Sequence, residues 1–570
     1  MVNNMKKQYI RMFISYKKMI PVQTIRGRYV DVVNSEIYSA SIDFDTHIRS
    51  IRRLPETQAP DVYILPGLVD AHVHIESSML PPSEFARMAL SHGTLAAVAD
   101  PHEIANVAGI AGIDYMLEDA TRVPFCFVFG APSCVPATPF DATGIALTAA
   151  DIEMLFQTRK LSFLSEMMNF PGVINRDPDV MAKIAVAKKY GKPIDGHAPG
   201  LTGEKLRLYA EAGISTDHEC ITLEEAEEKI RSGMKILIRE GSAAKNFDTL
   251  CPLIEKHPEK IMLCTDDFHP DDLLRGHINL LIAKGFARGF DLFSLLRAAT
   301  LNPIEHYRID LGLLQTGDSA DFIVVNNLND FTVRQSFFHG LCVFDRAGES
   351  FDIFTDMSSI STNINRFDAS TIGIPDIQIF AASDKMKIIQ TLDGELYTKK
   401  FVVDVRKDAL VETDTDADIL KLVVLNRYRP AKPAVAFIRG FGLKQGALVS
   451  TVAHDSHHIV AVGCDDHSLV ETINHIISVK GGLASYYNQQ LICMKLDIAG
   501  LMSSDSAEDI AHAYEQLNKT VCQMGSTLIA PFMTLSFMAL LVIPELKLGD
   551  RGLFDVQRFE WTDTFEKSIS

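Results

Sequence analysis

The feature that most constrains the fold of this 570-residue chain is a series of eight short apolar runs between residues 64 and 308. The runs span Ile64 to Asp70, Thr94 to Asp100, Phe125 to Ala131, Leu161 to Met167, Pro193 to Gly196, Ile214 to Asp217, Lys235 to Arg239 and Ile261 to Thr265. Most of them precede a segment with helical periodicity, and Asp291 is placed to cap a last helix, LFSLLRAATL, that ends before Asn302-Pro303. Short strands that alternate with helices indicate βα units around a parallel sheet. Eight such units predict a TIM-like (β/α)8 barrel.

The flanks of this region have β character of their own. Short β segments lie between about Val22 and Ile64, too few to form a core alone, and GDSADFIVV returns to β character after the barrel. The economical interpretation is that the two flanks pair into one composite β-sandwich domain. From about Phe367 we expect a separate α+β domain. The predicted organisation is an N-terminal β segment at 1–63, the barrel at 64–308, a return β segment at 309–366 and a C-terminal α+β domain at 367–570.

Composition and charge restrict the partners. Apolar residues make up 47% and charged residues 22% of the chain, a globular balance. The formal charge of −18 argues against a nucleic-acid or anionic-membrane surface, because phosphate binding needs clustered Lys and Arg. We therefore expect a small neutral substrate.

The sequence also predicts a cytoplasmic protein without a membrane span. The basic N-terminal stretch is interrupted by Lys17 and Lys18 before an apolar signal-peptide core develops. The most apolar late stretch, Phe532 to Ile543, is shorter than the about 20 residues that a membrane helix needs. Nine scattered cysteines, without a Cys-x-x-Cys pair, suit free thiols in a reducing compartment.

Chemically active side chains stand at the ends of the predicted strands, where a βα barrel places its catalytic groups. They are His72, His74, Glu166, His197, His218 and Asp266. Taken singly, each has an ordinary structural interpretation, such as a satisfied histidine or a solvent-facing strand end. Six such residues at strand ends instead favour a metal site.

Four imidazoles and two carboxylates form a mixed nitrogen and oxygen site that suits Mn, Fe or Zn. His72 and His74, two apart on a strand, can face one ion. The ligands suffice for two ions, and Glu166 could bridge them at a separation of about 3.5–4 Å. The ions would lower the pKa of a shared water and so produce hydroxide near neutral pH.

The segments PGLVDAHVHIESSML, with His72 and His74, and CTDDFHPDDLLRGHI, with Asp266, together with others along the chain, resemble the bacterial adenine deaminases of the amidohydrolase superfamily. The barrel segments are PGLVDAHVHIESSML, ADPHEIANVAGI, SEMMNFPGVIN, DGHAPGL, STDHEC, REGSAAKN and CTDDFHPDDLLRGHI. Beyond the barrel the resemblance continues through TLNPIEHYRI, GDSADFIVV, VVLNRY, GFGLKQGALVSTVAHDSHHIVAVG and PFMTLSFMALLVIPELKLGDRGLFDV. PGLVDAHVH and GDSADFIVV are common to the superfamily, whereas HIESSM, DPHEIANV, EMMNFPGVIN and CTDDFHPDDL distinguish adenine deaminases. The resemblance covers nearly the whole chain after about residue 22.

The resemblance implies hydrolysis of adenine to hypoxanthine and ammonia, in purine salvage, at a centre of two Mn²⁺ or Fe²⁺ ions, with Zn²⁺ as an alternative. All six predicted ligands stand where the family has metal ligands. The departures are a poorly matched N-terminal β segment and His458, where Asn is expected. We further expect a homo-oligomer, a dimer.

Other residues are candidates for catalysis. Asp266, at the end of strand eight, is the best proton shuttle because it can touch both metal and water. Glu103 and His102 are candidates for purine contacts or proton transfer. The alternative for Glu103 is an acid that favours the N-terminus of the following helix.

Three more residues are candidates for substrate binding. Glu76 and Ser77 follow His74 and are expected to line the pocket, although Ser77 or Ser78 could equally be an N-cap. Asp267 is expected to hold the purine or to orient an imidazole ligand. Since adjacent residues on a strand point in opposite directions, Asp266 and Asp267 are expected to have different roles.

Three further motifs do not support other chemistries. The string at 454–458, HDSHH, contains the residue types of a catalytic triad, but a triad is defined by geometry, and a structural or active-site-covering role is favoured. The glycine spacing of the segment at 440–446 is wrong for a dinucleotide loop and predicts a turn. His257-Pro258-Glu259 lacks the Pro-Cys-x-x-Cys of cytidine-type zinc deaminases, so that class is excluded.

Two other functions remain open at this point. The same metal site serves other amidohydrolase reactions, such as deamination of another purine or opening of a cyclic amide. A non-catalytic homologue would be expected to have lost a ligand, and all six are present.

Overall fold

The computed structural model describes residues 20–348 and 364–566. The expectation that the N-terminal stretch with Lys17 and Lys18 is not a signal peptide lies outside the described residues. Within these two ranges, no helix combines the length and the apolar character that crossing a bilayer requires.

Eight parallel strands form the predicted barrel. They are Leu68–His74, Thr94–Ala99, Cys126–Ala131, Phe163–Met167, Ile194–Gly196, Thr216–Asp217, Lys235–Arg239 and Ile261–Cys264. The fifth and sixth strands are linked by a hydrogen bond from Ser215 N to Ile194 O of 2.9 Å. The short strand Asp266–Asp267 pairs in parallel with Val73 and His74 and closes the ring. The TIM-like fold is therefore confirmed.

Helices and helical turns surround this barrel. They are Pro82–Ser91, His102–Ala108, Ile110–Asp119, Ala149–Thr158, Phe170–Ile174, Pro178–Lys189, Gly203–Glu211, Leu223–Arg231, Phe247–Leu250, Leu253–Lys256, Pro270–Arg275, Ile278–Ala287, Leu292–Ala299 and Leu301–Tyr307. Asp291 caps Leu292–Ala299 as predicted, since its side chain accepts a hydrogen bond from Ser294 N.

The first predicted run needs a correction, because it spans two strands of different sheets. Tyr63–Pro66 belongs to the flanking β sheet, and the first barrel strand begins at Leu68. The chain changes sheet at Gly67, where a Cβ atom would lie 2.2 Å from Leu95 Cδ1. Both strands are almost entirely buried, so the apolar run continues across the change and hides it.

Both flanks of the barrel contribute to one seven-stranded sheet, as predicted for the composite domain. Its spatial order is Leu341–Asp345, Val333–Phe338, Phe322–Val325, Tyr63–Pro66, Gln23–Asp31, Glu36–Phe44 and Ile48–Arg53. Phe44 lies three strands away from Phe322, yet their ring centroids are 5.0 Å apart. The sheet therefore bends over its own apolar core, which is separate from that of the barrel.

The C-terminal domain has the predicted α+β character. Its eight-stranded sheet contains Lys385–Thr391, Thr398–Asp404, Leu420–Leu425, Ala434–Arg439, Ala447–Ser450, Ile459–Gly463, Gly482–Tyr487 and Gln490–Lys495. A smaller sheet contains Leu546–Gly549, Gly552–Asp555 and Glu560–Trp561, and the helices are Asp466–Val479, Ala507–Gln523 and Pro531–Ser536. The segment at 440–446 is the predicted turn, with positive φ at Gly440, Gly442 and Gly446.

The C-terminal domain packs directly on the barrel. Arg87 of the helix Pro82–Ser91 forms an ion pair with Glu508, and Ala507 N donates to Glu84 Oε2 at 3.1 Å. One apolar core continues from the barrel strands into the C-terminal sheet and helices. This packing carries the loop at 451–458 to the carboxyl ends of the barrel strands.

Candidate metal centre and active-site cavity

The six predicted metal ligands meet at the carboxyl ends of the barrel strands. Parallel strands end at one rim of the barrel, which is why residues far apart in sequence converge there. All six are buried, with exposures between 0% and 9%. They are His72, His74, Glu166, His197, His218 and Asp266.

One group of ligand atoms contains His72, His74 and Asp266. The Nε2 atoms of the two histidines are 3.2 Å apart. Asp266 Oδ1 lies 3.3 Å from His72 Nε2 and 3.1 Å from His74 Nε2. These three potential ligand atoms therefore lie close enough together to bind one metal ion.

Glu166 connects this group to a second one. Its Oε1 lies 3.3 Å from His74 Nε2, whereas its Oε2 lies 2.7 Å from His197 Nδ1 and 3.2 Å from His218 Nε2. One carboxylate therefore offers one oxygen to each group, which is the arrangement of a bridging ligand.

The donor set fits divalent first-row metals. Imidazole suits Zn, Cu, Fe and Ni, while carboxylate suits Mn. Two imidazole nitrogens that face each other, as in His72 and His74, can share only one proton, so a cation satisfies the lone pairs better. The site is thus suited to a metal centre.

Electrostatics keep the two central carboxylates ionised. Burial alone would raise the pKa of Glu166, but His197, His218 and His74 hold it well below its usual range. Burial also acts to raise the pKa of Asp266, and Arg239, followed by His72 and His74, holds it well below its usual range. Both groups are therefore available as anionic ligands.

Sequence reasoning missed Arg239 and Glu219. The Arg239 guanidinium contacts the carboxylates of both Asp266 and Glu219, and all three side chains are buried. Arg239 is the last residue of the seventh strand, the position that identified the other site residues. Glu219 directly follows His218 and lies 3.6 Å from its Nε2.

Asp266 and Asp267 line the same cavity, contrary to the expectation that they point in opposite directions. Asp266 has a φ of 59°, in the left-handed region, which breaks the alternation of an extended strand. Asp266 faces the histidines, while Asp267 Oδ1 accepts a hydrogen bond of 2.5 Å from Ser77 Oγ. The two carboxylates have different partners within one cavity.

The residues that line the cavity do not include Glu76 or Ser77, and their contact with substrate stays a prediction. Glu76 is buried, and its Oε1 accepts a hydrogen bond of 3.0 Å from Ile104 N in the first turn of His102–Ala108. Ser77 acts through Asp267, and neither Ser77 nor Ser78 is an N-cap, since both lie within the 3₁₀ turn Ile75–Ser78. These side chains support the cavity from behind.

His102 and Glu103 lie in the cavity wall beside residues from the C-terminal domain. His454 and His457 each contact one oxygen of Glu103. Glu103 is therefore more than an acid at a helix N-terminus. The predicted active-site-covering role of the 454–458 string agrees with this position.

The cavity itself is small and has one polar and one apolar side. It encloses about 30 Å³. The polar side contains the metal-ligand groups, Asp267 and His454, and the apolar side is supplied by Leu396, Phe537, Leu540 and Ile543 of the C-terminal domain. His454 stacks on Phe537, with ring centroids 4.7 Å apart.

Comparisons with known proteins find relatives that match 95% of this chain. The model of the amidohydrolase family matches residues 63–343, and that of the adenine deaminase C-terminal domain matches residues 395–560. The adenine deaminase of Methanosarcina mazei is 48% identical over 553 residues, which covers 95% of this chain and 99% of that protein. The adenine deaminases of Sulfurovum sp. and Salinibacter ruber are 50% and 48% identical, each with 95% of this chain and 99% of the relative covered. The chain therefore belongs to the adenine deaminase family of amidohydrolases.

Proposed function

We propose that this protein hydrolyses adenine to hypoxanthine and ammonia, as an enzyme of purine salvage. The observation that carries the proposal is the Glu166 carboxylate, whose two oxygens face two separate groups of ligand atoms beneath a cavity walled by the adenine deaminase C-terminal domain. The adenine deaminases of several organisms share nearly the full length of this chain.

The proposed cofactor is a pair of Mn²⁺ or Fe²⁺ ions, with Zn²⁺ as an alternative. One ion would be held by His72, His74 and Asp266, and the other by His197 and His218. Glu166 would be a ligand of both ions. When bound, the ions lower the pKa of water and supply a nucleophile at neutral pH.

Proton transfer is assigned to Asp266. Attack of water on C6 of adenine requires that a proton leave the water and that protons reach the ring nitrogen and the departing amine. Asp266 is anionic, so it accepts the first proton and can return it. Arg239 fixes the orientation of this carboxylate by contacting its other oxygen.

Purine binding is assigned to the walls of the cavity. Asp267 offers polar atoms to the ring nitrogens, and Ser77 holds Asp267 in place. His102 and Glu103 complete the polar wall of the cavity. Glu76 supports this wall by holding the backbone of His102–Ala108. The apolar side, with Phe537, packs against the flat ring.

The cavity must enlarge to admit the substrate. Small-molecule sites usually enclose about 300–1,000 Å³, far more than the space described above. The apolar side is formed by side chains of the C-terminal domain, so movement of that side opens the site. The enclosed form excludes bulk water, which strengthens the electrostatic interactions around Asp266.

We further propose that the protein is cytoplasmic and forms a homo-oligomer, a dimer. We propose that it has no nucleic-acid or membrane partner. Nine free cysteines support the reducing compartment, and a net charge of −18 supports the absence of nucleic-acid and anionic-membrane partners. The proposed domains are those expected from the sequence, at 1–63, 64–308, 309–366 and 367–570, with the first barrel strand starting at Leu68.

The proposed function is tested by ammonia release from adenine, adenosine, guanine, cytosine and dihydropyrimidines, with metal analysis of the same sample. Adenine alone should turn over well, chelation should abolish turnover, and added Mn²⁺ should restore it. Full activity in protein that contains no metal would contradict the metal assignment. Preferred turnover of another substrate would contradict the choice of adenine.

A further inference from the structure

A second set of metal-ligand types lies beside the proposed binuclear centre, where the two large domains meet. His102 and Glu103 come from the helix after the second barrel strand, and Asp455 comes from the C-terminal loop. His102 Nε2 lies 3.5 Å from Glu103 Oε1 and 3.4 Å from Asp455 Oδ1. The three residues are 3%, 1% and 5% exposed.

The orientation of His102 is fixed by Asp100. His102 Nδ1 lies 3.1 Å from Asp100 Oδ2, and the His102 backbone N–H donates to Asp100 Oδ1 at 3.1 Å. With Nδ1 facing the Asp100 carboxylate, the ring directs Nε2 toward Glu103 and Asp455, where a metal ion would take the Nε2 lone pair. This pairing of a carboxylate with a histidine is the usual support of a metal-binding imidazole.

The separations are too long for hydrogen bonds between these groups. A charged N–H to carboxylate hydrogen bond is about 2.7–2.9 Å long, and one proton on Nε2 could serve only one of the two carboxylates. Among the described residues, neither His102 Nε2 nor Asp455 Oδ2 has a hydrogen-bond partner. Buried polar atoms in this state call for an ion or another ligand.

The same separations suit atoms that share a metal ion. Ligand atoms about 2.0–2.2 Å from a metal lie about 3.0–3.5 Å from one another. In the proposed binuclear centre, the corresponding separations around Asp266 are 3.1 and 3.3 Å. The cluster of His102, Glu103 and Asp455 therefore has the spacing of the neighbouring metal-ligand groups.

Surrounding charges and hydrogen bonds also suit a cation. The carboxylates of Asp100, Glu103 and Asp455 converge on His102 in a buried space, and buried anions need compensation. His454 and His457 contact the Glu103 carboxylate and fix it, as hydrogen bonds commonly do for metal-binding carboxylates.

We infer that His102, Glu103 and Asp455 bind a third divalent first-row cation, distinct from the two at the barrel centre, that joins the barrel to the C-terminal domain. One imidazole and two carboxylates favour Mn²⁺, Fe²⁺ or Zn²⁺. This site rests on its own three residues and does not depend on which substrate the enzyme takes.

The test is the metal content of the full-length protein saturated with Mn²⁺ and freed of excess metal. Wild type should hold three Mn²⁺ per chain and Asp455→Asn two. Ser456→Ala, a change in the same buried loop without a proposed ligand, should keep three. Retention of three ions by Asp455→Asn, or only two in wild type, would overturn the inference.

Anomalous diffraction at the manganese edge of the wild-type crystal provides a test that does not require a variant to fold. A peak between His102 Nε2 and Asp455 Oδ1 is expected, in addition to peaks beside Glu166. Density beside Glu166 alone, together with normal turnover of adenine, would remove the third site and leave the proposed function intact. A peak at His102 in protein that does not turn over adenine would support the third site and contradict the proposed function.

Discussion

His454 of the C-terminal domain contacts the buried carboxylate of Glu103 in the barrel, although 351 residues separate them in sequence. His457, from the same loop, contacts the other oxygen of Glu103. The Nε2 atom of His454 also lies 3.8 Å from Asp267 Oδ1. The C-terminal domain thus provides part of the active-site wall.

Replacing both histidines, His454→Ala with His457→Ala, should lower both the rate of adenine deamination and the melting temperature. Removal of these two imidazoles takes away contacts to both oxygens of the buried Glu103 carboxylate. Loss of one partner of a buried charged pair costs about 3–5 kcal/mol. Thermal unfolding and steady-state kinetics measure the two effects. His467→Ala, an exposed position on the helix Asp466–Val479, is the control and should change neither. A double variant with wild-type rate and melting temperature would show that the loop has no role at the site.

Asp266→Asn should lower kcat by about 10²–10⁴-fold, because it removes a positioned proton acceptor while preserving shape. Asp267→Asn should mainly raise KM, since Asp267 lines the cavity and is held by Ser77 but is not one of the proposed metal ligands. Kinetics of the two variants under identical metal loading compare these residues. A nearly inactive Asp267→Asn beside an active Asp266→Asn would reverse the two roles.

Glu166→Gln should impair assembly of the proposed two-metal centre in the barrel. A neutral amide is a weaker bridge between two cations than the carboxylate whose oxygens face both ligand groups. Metal analysis should show a loss of barrel ions together with a loss of turnover. Glu153→Gln, on the outer helix Ala149–Thr158, is a matched control that should retain both. Full metal content with a normal rate in Glu166→Gln would exclude Glu166 from the centre.

Lys547 should make stability depend on pH. Its ammonium group is fully buried and donates to Leu396 O at 2.8 Å and Phe537 O at 3.0 Å, and both of these residues line the cavity. Burial lowers the pKa of Lys547 from 10.5 to about 7. Between these pH values the unfolded chain binds more protons than the folded one, so the contribution of Lys547 to the free energy of unfolding rises with pH.

The measurement compares wild type with Lys547→Met by denaturant unfolding at pH 6, 7, 8 and 9. The difference in the free energy of unfolding should shift in favour of wild type as the pH rises above about 7. Lys519→Met, with a side chain 74% exposed, should follow wild type in parallel. Parallel curves for wild type and Lys547→Met would contradict the prediction, because they would mean that folding does not lower the pKa of Lys547.

The barrel, and the convergence of the proposed metal ligands at one rim of it, were predictable because both depend on local pattern. Apolar runs of strand length recur eight times, and a strand-end rule selects His72, Glu166 or Asp266 without knowledge of packing. The sheet change at Gly67 was not predictable, because two buried strands form one apolar run. The left-handed backbone at Asp266 was hidden for a similar reason, since strand alternation gives no sign of it.

Residues brought in from distant segments were the least predictable part of the site. His454, Phe537 and Lys547 reach the cavity only through the packing of the C-terminal domain on the barrel. Their sequence neighbourhood indicates a polar loop and an apolar segment, not a position beside Glu103. Arg239, in contrast, ends a predicted strand and could have been found by the rule that identified the ligands.

The strand Tyr63–Pro66 is made early in synthesis, but one of its two neighbours, Phe322–Val325, is made only after the whole barrel. The same delay separates Tyr29 from Leu314 O, to which it donates a hydrogen bond across 285 residues. Until the late strand emerges, the early flank presents an unpaired strand edge, which promotes aggregation between nascent chains. A fragment that stops at the end of the barrel would keep that edge permanently, so pairing of both flanks is expected to protect the folding chain from edge-to-edge aggregation.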